Sequence, residues 1–185
     1  MTEFVTDTEI ETLEGEYVDL LNPSLDHLTP EMVAGALSKI CRFVGQCKFP
    51  YSVAQHSLLV MDIIERMGAP ELRLEGLMHE APEALLGDVS TILKRQLSQY
   101  KRIEHVFEER FAEKFGLDRS PSVLALVKRA DIIALATERD VLLPPTAKRW
   151  GVIEGVPRVP VCIVESDWRR DEAAFLRAYE VLKRV

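Results

Sequence analysis

The chain lacks several features that would define its class at once. No apolar run approaches the roughly 18 consecutive residues that a membrane-spanning helix needs. Its opening, MTEFVTDTEIETLEGE, lacks the basic-then-apolar pattern of a signal peptide. Cysteines number three, and the five residues between Cys41 and Cys47 do not match a common zinc spacing. We therefore expect Cys41, Cys47 and Cys162 to be free thiols in a reducing cytoplasm, with no membrane partner.

Positive charge is also in short supply. Against 30 acidic residues there are 23 Lys and Arg, which gives a formal net charge of −7. This balance argues against binding of a nucleic acid polymer or an anionic membrane, so cations that meet an anionic substrate must be local. The length of 185 residues, with 47% apolar and 29% charged residues, indicates one globular domain over 1–185.

Helical periodicity dominates what is present. Thr29 before Pro30 starts a helix in LTPEMVAGALSKI, and Ser52 starts another that ends at Gly68. Residues 1–28 precede these helices as an extension, and prolines and glycines make 144–166 a loop. The pattern predicts an all-α bundle of about six to seven helices with one short β-hairpin or strand pair. Further helices are predicted in PELRLEGLMHEA, YKRIEHVFEERFAEKFG, SPSVLALVKRADIIALATERDVLL and DWRRDEAAFLRAYEVLKRV, and short strands in GEYVDLL and VPVCIVE.

One apolar stretch, GLMHEAPEALLGDV at 76–89, contains a cluster of polar residues. His79 and Glu83 are four residues apart, so they can share a helix face, and Glu80 is adjacent. An unpaired buried carboxylate costs several kcal/mol, and a metal ion is one way to satisfy several such groups at once. The alternative is a polar helix end whose acids lie in water, and these residues alone leave both interpretations open.

His56 and Asp131 also lie within apolar helix faces. A single histidine in such a face is more often a hydrogen-bonded core residue than a ligand. Asp131, however, follows Val127 and precedes Leu135 on the same face, so it should point inward and need a partner. Together with His79 and Glu80 these residues would form a nitrogen and oxygen site on three helices, suited to Co²⁺, Mn²⁺, Zn²⁺, Ni²⁺ or Fe²⁺.

Five segments in order resemble the HD-domain metal-dependent phosphohydrolases. The similarity is to bacterial 5′-deoxynucleotidases and to phage deoxynucleotide triphosphohydrolases of the dATP type, and it covers over half the chain. The segments are CRF (41–43), SVAQHSLLV (52–60), LMHEAPEALLGDV (77–89), QYKRIE (99–104) and LVKRADIIAL (126–135).

The resemblance implies one divalent metal per chain, with Mg²⁺ a possible companion of the substrate phosphates. The implied ligands are His56, His79, Glu80 and Asp131. The family has aspartate at the position of Glu80, and the extra methylene moves the carboxylate by about 1.5 Å unless the backbone or rotamer compensates.

The same resemblance assigns roles around the metal. Glu83 matches the catalytic carboxylate, Asp88 an acid that lines the pocket, and Arg42 an arginine that contacts the nucleotide phosphate. Phe43 is a candidate to pack on a sugar or base. The implied reaction is attack of a metal-activated water on phosphorus in a deoxynucleotide.

Two lysines are further candidates for phosphate contacts. Lys94 follows the acidic cluster closely, and Lys128 lies one helical turn before Asp131. A solvated surface charge is the competing interpretation for both. Trp150 is interpreted as a loop anchor rather than a lid, and we expect the remaining basic candidates to be surface residues: Arg95, Lys101, Arg129, Arg169 and Arg170.

The short chain and its opening, YVDLLNP…ALSKICRF, resemble the phage-type relatives most, which implies a triphosphohydrolase acting on a deoxynucleotide such as dATP. Alternatives are a 5′-deoxynucleotidase acting on monophosphates, or a degenerate HD protein that binds a nucleotide without cutting it. A third reading takes HEAPE as a variant of the zincin HExxH motif, although Pro82 is awkward inside a helix. The resemblance and two apolar helix stripes also predict a homo-oligomer. The expected location is the cytoplasm of a bacterium, or of the host cell if a phage encodes the protein.

Overall fold

The computed structural model describes residues 5–183 and is mostly helical. Eight α-helical segments and one two-stranded antiparallel sheet lie in that range, which confirms the predicted all-α bundle with a small hairpin. The strands are β1 (Glu9–Glu11) and β2 (Tyr17–Asp19), and the helices are α1 (Pro30–Leu37), α2 (Val53–Arg66), α3 (Arg73–Met78), α4 (Glu83–Leu86), α5 (Thr91–Lys94), α6 (Ser98–Phe115), α7 (Pro121–Leu142) and α8 (Trp168–Leu182). Three short 3₁₀ turns cover Arg42–Gly45, Pro70–Leu72 and Gly151–Ile153.

The long helices begin and end where their sequence signals lie. The Thr29 side chain accepts a hydrogen bond from the backbone N–H of Met32 at the start of α1. Ser52 and Gln55 form a capping box at the start of α2. Gly116 ends α6 in the left-handed conformation that favours glycine.

Helix α2 is central because both of its faces are buried. One face joins α1, α3, α6 and α8 in a core around Phe107, Phe111 and Phe175. The other face, with Val60 and Ile64, packs on α7 and on the loop that precedes α8. A polar residue on either buried face, such as His56, must therefore find its partners inside the protein.

The segment predicted as an N-terminal extension packs on this core. In the hairpin, Ile10 lies opposite Val18, and the buried side chains of Val18, Leu25 and Leu28 join the apolar cluster beneath α1. Residues 1–4 lie outside the described range.

Three local predictions need correction. VPVCIVE is extended but forms no strand within residues 5–183, and its side chains pack on α2 and α7 instead. The helix predicted through His79 ends at Met78, and α4 starts separately after Pro82. The four-residue α5 was not expected. Among residues 5–183, every helix is too short or too polar to cross a bilayer.

Candidate metal centre

The four predicted ligands converge near the N-terminal end of α2. His56 projects from α2, His79 and Glu80 follow the end of α3, and Asp131 comes from α7. One ligand atom from each residue can be chosen so that all four lie within 4.8 Å of one another. His56 is fully buried, and the other three are partly exposed, so the cluster opens to solvent on one side.

The distances between donor atoms match those of a coordination shell. The Nε2 atom of His56 lies 3.2 Å from Nε2 of His79 and 3.3 Å from Oδ1 of Asp131. Oε1 of Glu80 lies 3.4 Å from Nε2 of His79 and 3.8 Å from that of His56. Ligands bound to a first-row metal at about 2.0–2.2 Å are separated from one another by about 3–3.5 Å.

The second nitrogen of each histidine defines what its Nε2 can do. Nδ1 of His56 lies 2.6 Å from Oε1 of Glu138, and Nδ1 of His79 lies 2.8 Å from the carbonyl oxygen of Gly76. Carboxylate and carbonyl oxygens accept, so both Nδ1 atoms donate. In the neutral rings the two Nε2 lone pairs then face each other, and this arrangement requires a cation between them: a shared proton or a metal.

Charges around the centre favour bound cations. Burial and Arg42 lower the pKa of His56, but Glu138 and Asp131 outweigh them and raise it to about 9. Burial raises the pKa of Asp131 and of Glu80, yet their histidine neighbours hold both pKa values below the ordinary carboxyl range. Both carboxyl groups are thus ionised and can serve as metal ligands.

Glu138 is a site residue that the sequence interpretation missed. It lies on α7, is completely buried, and accepts hydrogen bonds from His56 and from the Tyr51 hydroxyl at 3.1 Å. Its Oε2 lies 3.4 Å from Nε of Arg42. The signal was present, because position 138 follows Asp131 by seven residues and so returns to the same helix face.

Glu83 lies beside the ligand cluster and is buried. Lys94 Nζ contacts its Oε1 at 3.3 Å and Glu104 Oε1 at 2.5 Å, while Oε2 of Glu83 makes no hydrogen bond among the described residues. Burial, Glu80 and Asp88 raise the pKa of Glu83 to about 10, against the opposing effect of Lys94. The carboxyl can therefore hold a proton near neutral pH.

Arg42 and Asp88 border the same space. Arg42 is largely buried, and its Nη1 lies 3.8 Å from Oε1 of Glu80. Burial raises the pKa of the half-buried Asp88, while Arg42 lowers it. Phe43 lies under the Arg42 guanidinium, 5.6 Å from ring centre to Cζ. Phe43 and Val44 both have positive φ, 56° and 53°, which a β-branched residue rarely adopts.

The other basic candidates lie in different surroundings. Lys128 donates to Oδ2 of Asp131 at 2.7 Å, but its side chain is 68% exposed. Trp150 is half-buried beside a surface cavity of about 240 Å³ that Arg139, Lys148 and Arg158 also line. The residues expected at the surface are exposed, namely Arg95, Lys101, Arg129, Arg169 and Arg170. All three cysteines are free thiols, as predicted.

The zincin interpretation does not fit this geometry. Zincin ligands lie one turn apart on one continuous helix. Here α3 ends at Met78, a turn follows through Pro82, and Glu83 begins a new helix and is not one of the four grouped ligand residues. HEAPE is therefore not the helical metal motif of a zincin.

The comparisons with known proteins identify two relatives, both of them named as uncharacterized proteins. No family model matches the chain. It is 40% identical over 150 residues to the uncharacterized protein YfdR of Escherichia coli K12, and the match covers 80% of each chain. It is 36% identical over 125 residues to an uncharacterized protein of Rhodobacter capsulatus, covering 64% of this chain and 62% of that one. On the extent and identity of the first match, the chain belongs to the same family as YfdR.

Proposed function

We propose that the protein is a metal-dependent phosphohydrolase that acts on deoxynucleotides. The observation that carries the proposal is the pair of histidine Nε2 atoms 3.2 Å apart, whose Nδ1 atoms both donate to other groups. With Glu80 and Asp131 they make a two-nitrogen, two-oxygen donor set suited to a divalent transition metal. The similarity to HD-domain phosphohydrolases supports the reaction class.

When bound, a divalent metal at this centre would supply positive charge and lower the pKa of a water molecule. Glu83 would accept and return a proton of this water. Its free Oε2 can accept a hydrogen bond from water, while Lys94 holds Oε1. Lys94 favours the ionised carboxylate, and burial beside Glu80 favours the protonated acid, so the group can take up and return a proton.

Two cations would hold the anionic substrate. Arg42 lies beside Glu80 at the rim of the ligand cluster. Lys94 lies beside Glu83, which follows Glu80 in the chain. Both are partly shielded from water, where a charge-assisted hydrogen bond to a phosphoryl oxygen is strongest. These residues provide the local cations that an acidic protein needs in order to bind an anion.

The Glu80 side chain supports an active centre rather than a degenerate one. Its Oε1 lies within 3.8 Å of both histidine Nε2 atoms. The extra methylene relative to the family aspartate therefore still leaves the carboxylate within reach of a shared metal.

The test is a hydrolysis screen of the four deoxynucleoside monophosphates and triphosphates, with Co²⁺, Mn²⁺, Zn²⁺, Ni²⁺ and Fe²⁺ each added to metal-stripped protein. We expect metal-dependent release of phosphate or triphosphate. Asp131→Ala should lose both metal and turnover while the helical circular dichroism persists. Asp140→Asn, on the same helix but outside the cluster, should retain both. Absence of hydrolysis by metal-loaded protein with every substrate would refute the proposal.

A further inference from the structure

We infer that Glu138 is a positioning residue. Its single carboxylate orients both His56 and Arg42, and so links metal binding to anion binding. The inference rests on the metal centre of the proposed function, but it does not depend on which substrate is cut. Glu138 touches neither the ligand space nor the substrate side of Arg42, so it acts through these two side chains.

The first half of the link is the histidine. Oε1 of Glu138 accepts a hydrogen bond from Nδ1–H of His56 at 2.6 Å, which leaves the Nε2 lone pair for a metal. The Tyr51 hydroxyl donates to the same oxygen at 3.1 Å and fixes the carboxylate in this rotamer. His56 has no other polar partner on its Nδ1 side, so Glu138 alone defines its tautomer among the described residues.

The second half is the arginine. Oε2 of Glu138 lies 3.4 Å from Nε of Arg42, and neither atom makes a well-formed hydrogen bond among the described residues. A buried ion pair of this kind contributes little net stability, because desolvation offsets the attraction. The Glu138–Arg42 pair instead holds the guanidinium at its Nε edge. This orientation turns the Nη atoms toward Glu80 and the metal ligands.

If Glu138 had a purely structural role, removing its charge would lower stability and leave metal and anion binding unchanged. Asp171 is a matched case, a buried carboxylate that accepts from the Ser52 hydroxyl at 2.7 Å at the start of α2 but touches no metal ligand. Removing its charge should lower stability only. Removing the charge of Glu138 should weaken metal and anion binding by the folded protein.

The experiment measures Co²⁺ affinity by competition with a chromophoric chelator, and inorganic phosphate affinity of the Co²⁺-loaded protein from its visible absorption. Glu138→Gln keeps the size of the side chain but loses the charge that faces Arg42. We expect Co²⁺ to bind about 10–100-fold more weakly, the usual effect of losing a partner of a ligating histidine. Phosphate should bind about tenfold or more weakly once Arg42 is released. Asp171→Asn should leave both constants within about twofold of the wild type.

Each outcome has a distinct meaning. Unchanged Co²⁺ and phosphate affinities in Glu138→Gln, with only a lower melting temperature, would overturn the inference. So would a loss of metal affinity in Asp171→Asn as large as that in Glu138→Gln. If the wild type bound no Co²⁺, the metal centre and this inference would both fall. If binding followed the expected pattern but no deoxynucleotide were cut, only the proposed function would fail.

Discussion

His79 and Glu80 are neighbours in the chain, and yet both reach one centre. Both lie just past the end of α3, where the chain leaves the helix, so the separation of about 100° between successive helical residues does not keep them apart. Nε2 of His79 and Oε1 of Glu80 lie 3.4 Å from each other. The glutamate carboxylate therefore reaches the same centre as the adjacent histidine.

Glu83 is predicted to act in the reaction and not as a metal ligand. Glu83→Gln should keep the bound metal, because the four ligand atoms belong to other residues. Its turnover should fall by about 10²–10⁴, the usual contribution of a general acid–base residue. Metal analysis and steady-state rates measure both effects, with Glu113→Gln on exposed α6 as the control. Near-normal turnover would remove Glu83 from the mechanism.

Lys94 and Lys128 should both affect the choice between triphosphate and monophosphate substrates, although their surroundings differ. Lys94 is mostly shielded between Glu83 and Glu104, whereas Lys128 is exposed beside Asp131. If both hold distal phosphates, each change to Ala should weaken triphosphate use by about 1.5–3 kcal/mol and monophosphate use by less. Ratios of kcat/KM for the two substrate classes decide this. Equal small effects on both classes would favour the monophosphatase and assign the lysines to the surface.

Metal affinity should rise with pH. With no metal bound, the pKa of His56 is raised to about 9, so a proton competes for Nε2 below that pH. One displaced proton gives up to about a tenfold gain in affinity per pH unit, levelling off above pH 9. Co²⁺ competition titrations from pH 6.5 to 9.5 measure the slope. A constant affinity over this range would contradict the assignment of His56 as a ligand.

The site could be predicted from the sequence only where polar residues interrupt an apolar pattern. His56, His79, Glu80 and Asp131 stood out in this way, and the structure brings them together. Glu138 was missed because the charged sequence ERD around it resembles the polar end of a helix. Only the tertiary contact with His56 shows that it faces inward.

At the scale of elements, a glycine sets the distance between α2 and α3. A Cβ atom on Gly76 would lie 2.5 Å from Cδ1 of Ile64 and 3.2 Å from the backbone Cα of Met61. The carbonyl of the same glycine accepts from His79 Nδ1. The close packing of these two helices therefore also positions a metal ligand.

Gly76→Ala should consequently disturb both stability and the centre. Overpacking of this kind costs about 1–3 kcal/mol of unfolding free energy, and movement of α3 would shift His79. Gly35→Ala is the matched control in helix α1, since its new Cβ would meet only side-chain ends of Glu172 and Lys39 at 3.4 Å. There we expect no loss, or a gain of about 0.5–1 kcal/mol. Denaturant unfolding and Co²⁺ affinity measure the two effects, and equal behaviour of both variants would contradict this account.

The long helices with clear capping residues were the easiest elements to predict from the sequence. Thr29 and Ser52 define helix starts through local hydrogen bonds, which the sequence displays directly. VPVCIVE shows why strands were harder. Its alternation is real, since Val159, Val161 and Ile163 all pack inward, but they face helices and have no partner strand in the described part of the chain. Pairing depends on distant segments, which periodicity does not report.

For the whole molecule, the structure weakens one argument for a homo-oligomer, namely the apolar stripes of α6 and α8. The apolar stripes of α6 and α8 both enter one core within a single chain, and the two helices touch where Phe115 and Tyr179 meet edge to face at 6.0 Å between ring centres. Among the large apolar side chains that stay exposed, two neighbours lie on α5 beside the candidate site, Ile92 at 78% and Leu93 at 50% exposure.

The oligomer remains a prediction, and α5 is now its candidate interface. Light scattering at micromolar concentration should give a mass above the 21.0 kDa of one chain. Ile92→Glu should reduce that mass toward the monomer, because a charge in an apolar interface is unfavourable. Leu13→Glu, in the exposed hairpin turn, should not. A wild-type mass near 21.0 kDa would decide for the monomer.

The separation of the four ligands along the chain has a consequence for how the protein assembles. His56 on α2 and Asp131 on α7 are separated in the chain by the whole α3–α6 segment. A metal bound across them would tie the ends of a long loop, and loop-closure entropy disfavours that contact in the unfolded chain. We therefore expect the centre to form late in folding, and a bound ion to slow the reverse step by opposing the separation of α2 from α7. Loss of the ion to a chelator in the cell would then expose a correctly folded protein to faster unfolding and degradation, so that metal supply would control the lifetime of the protein.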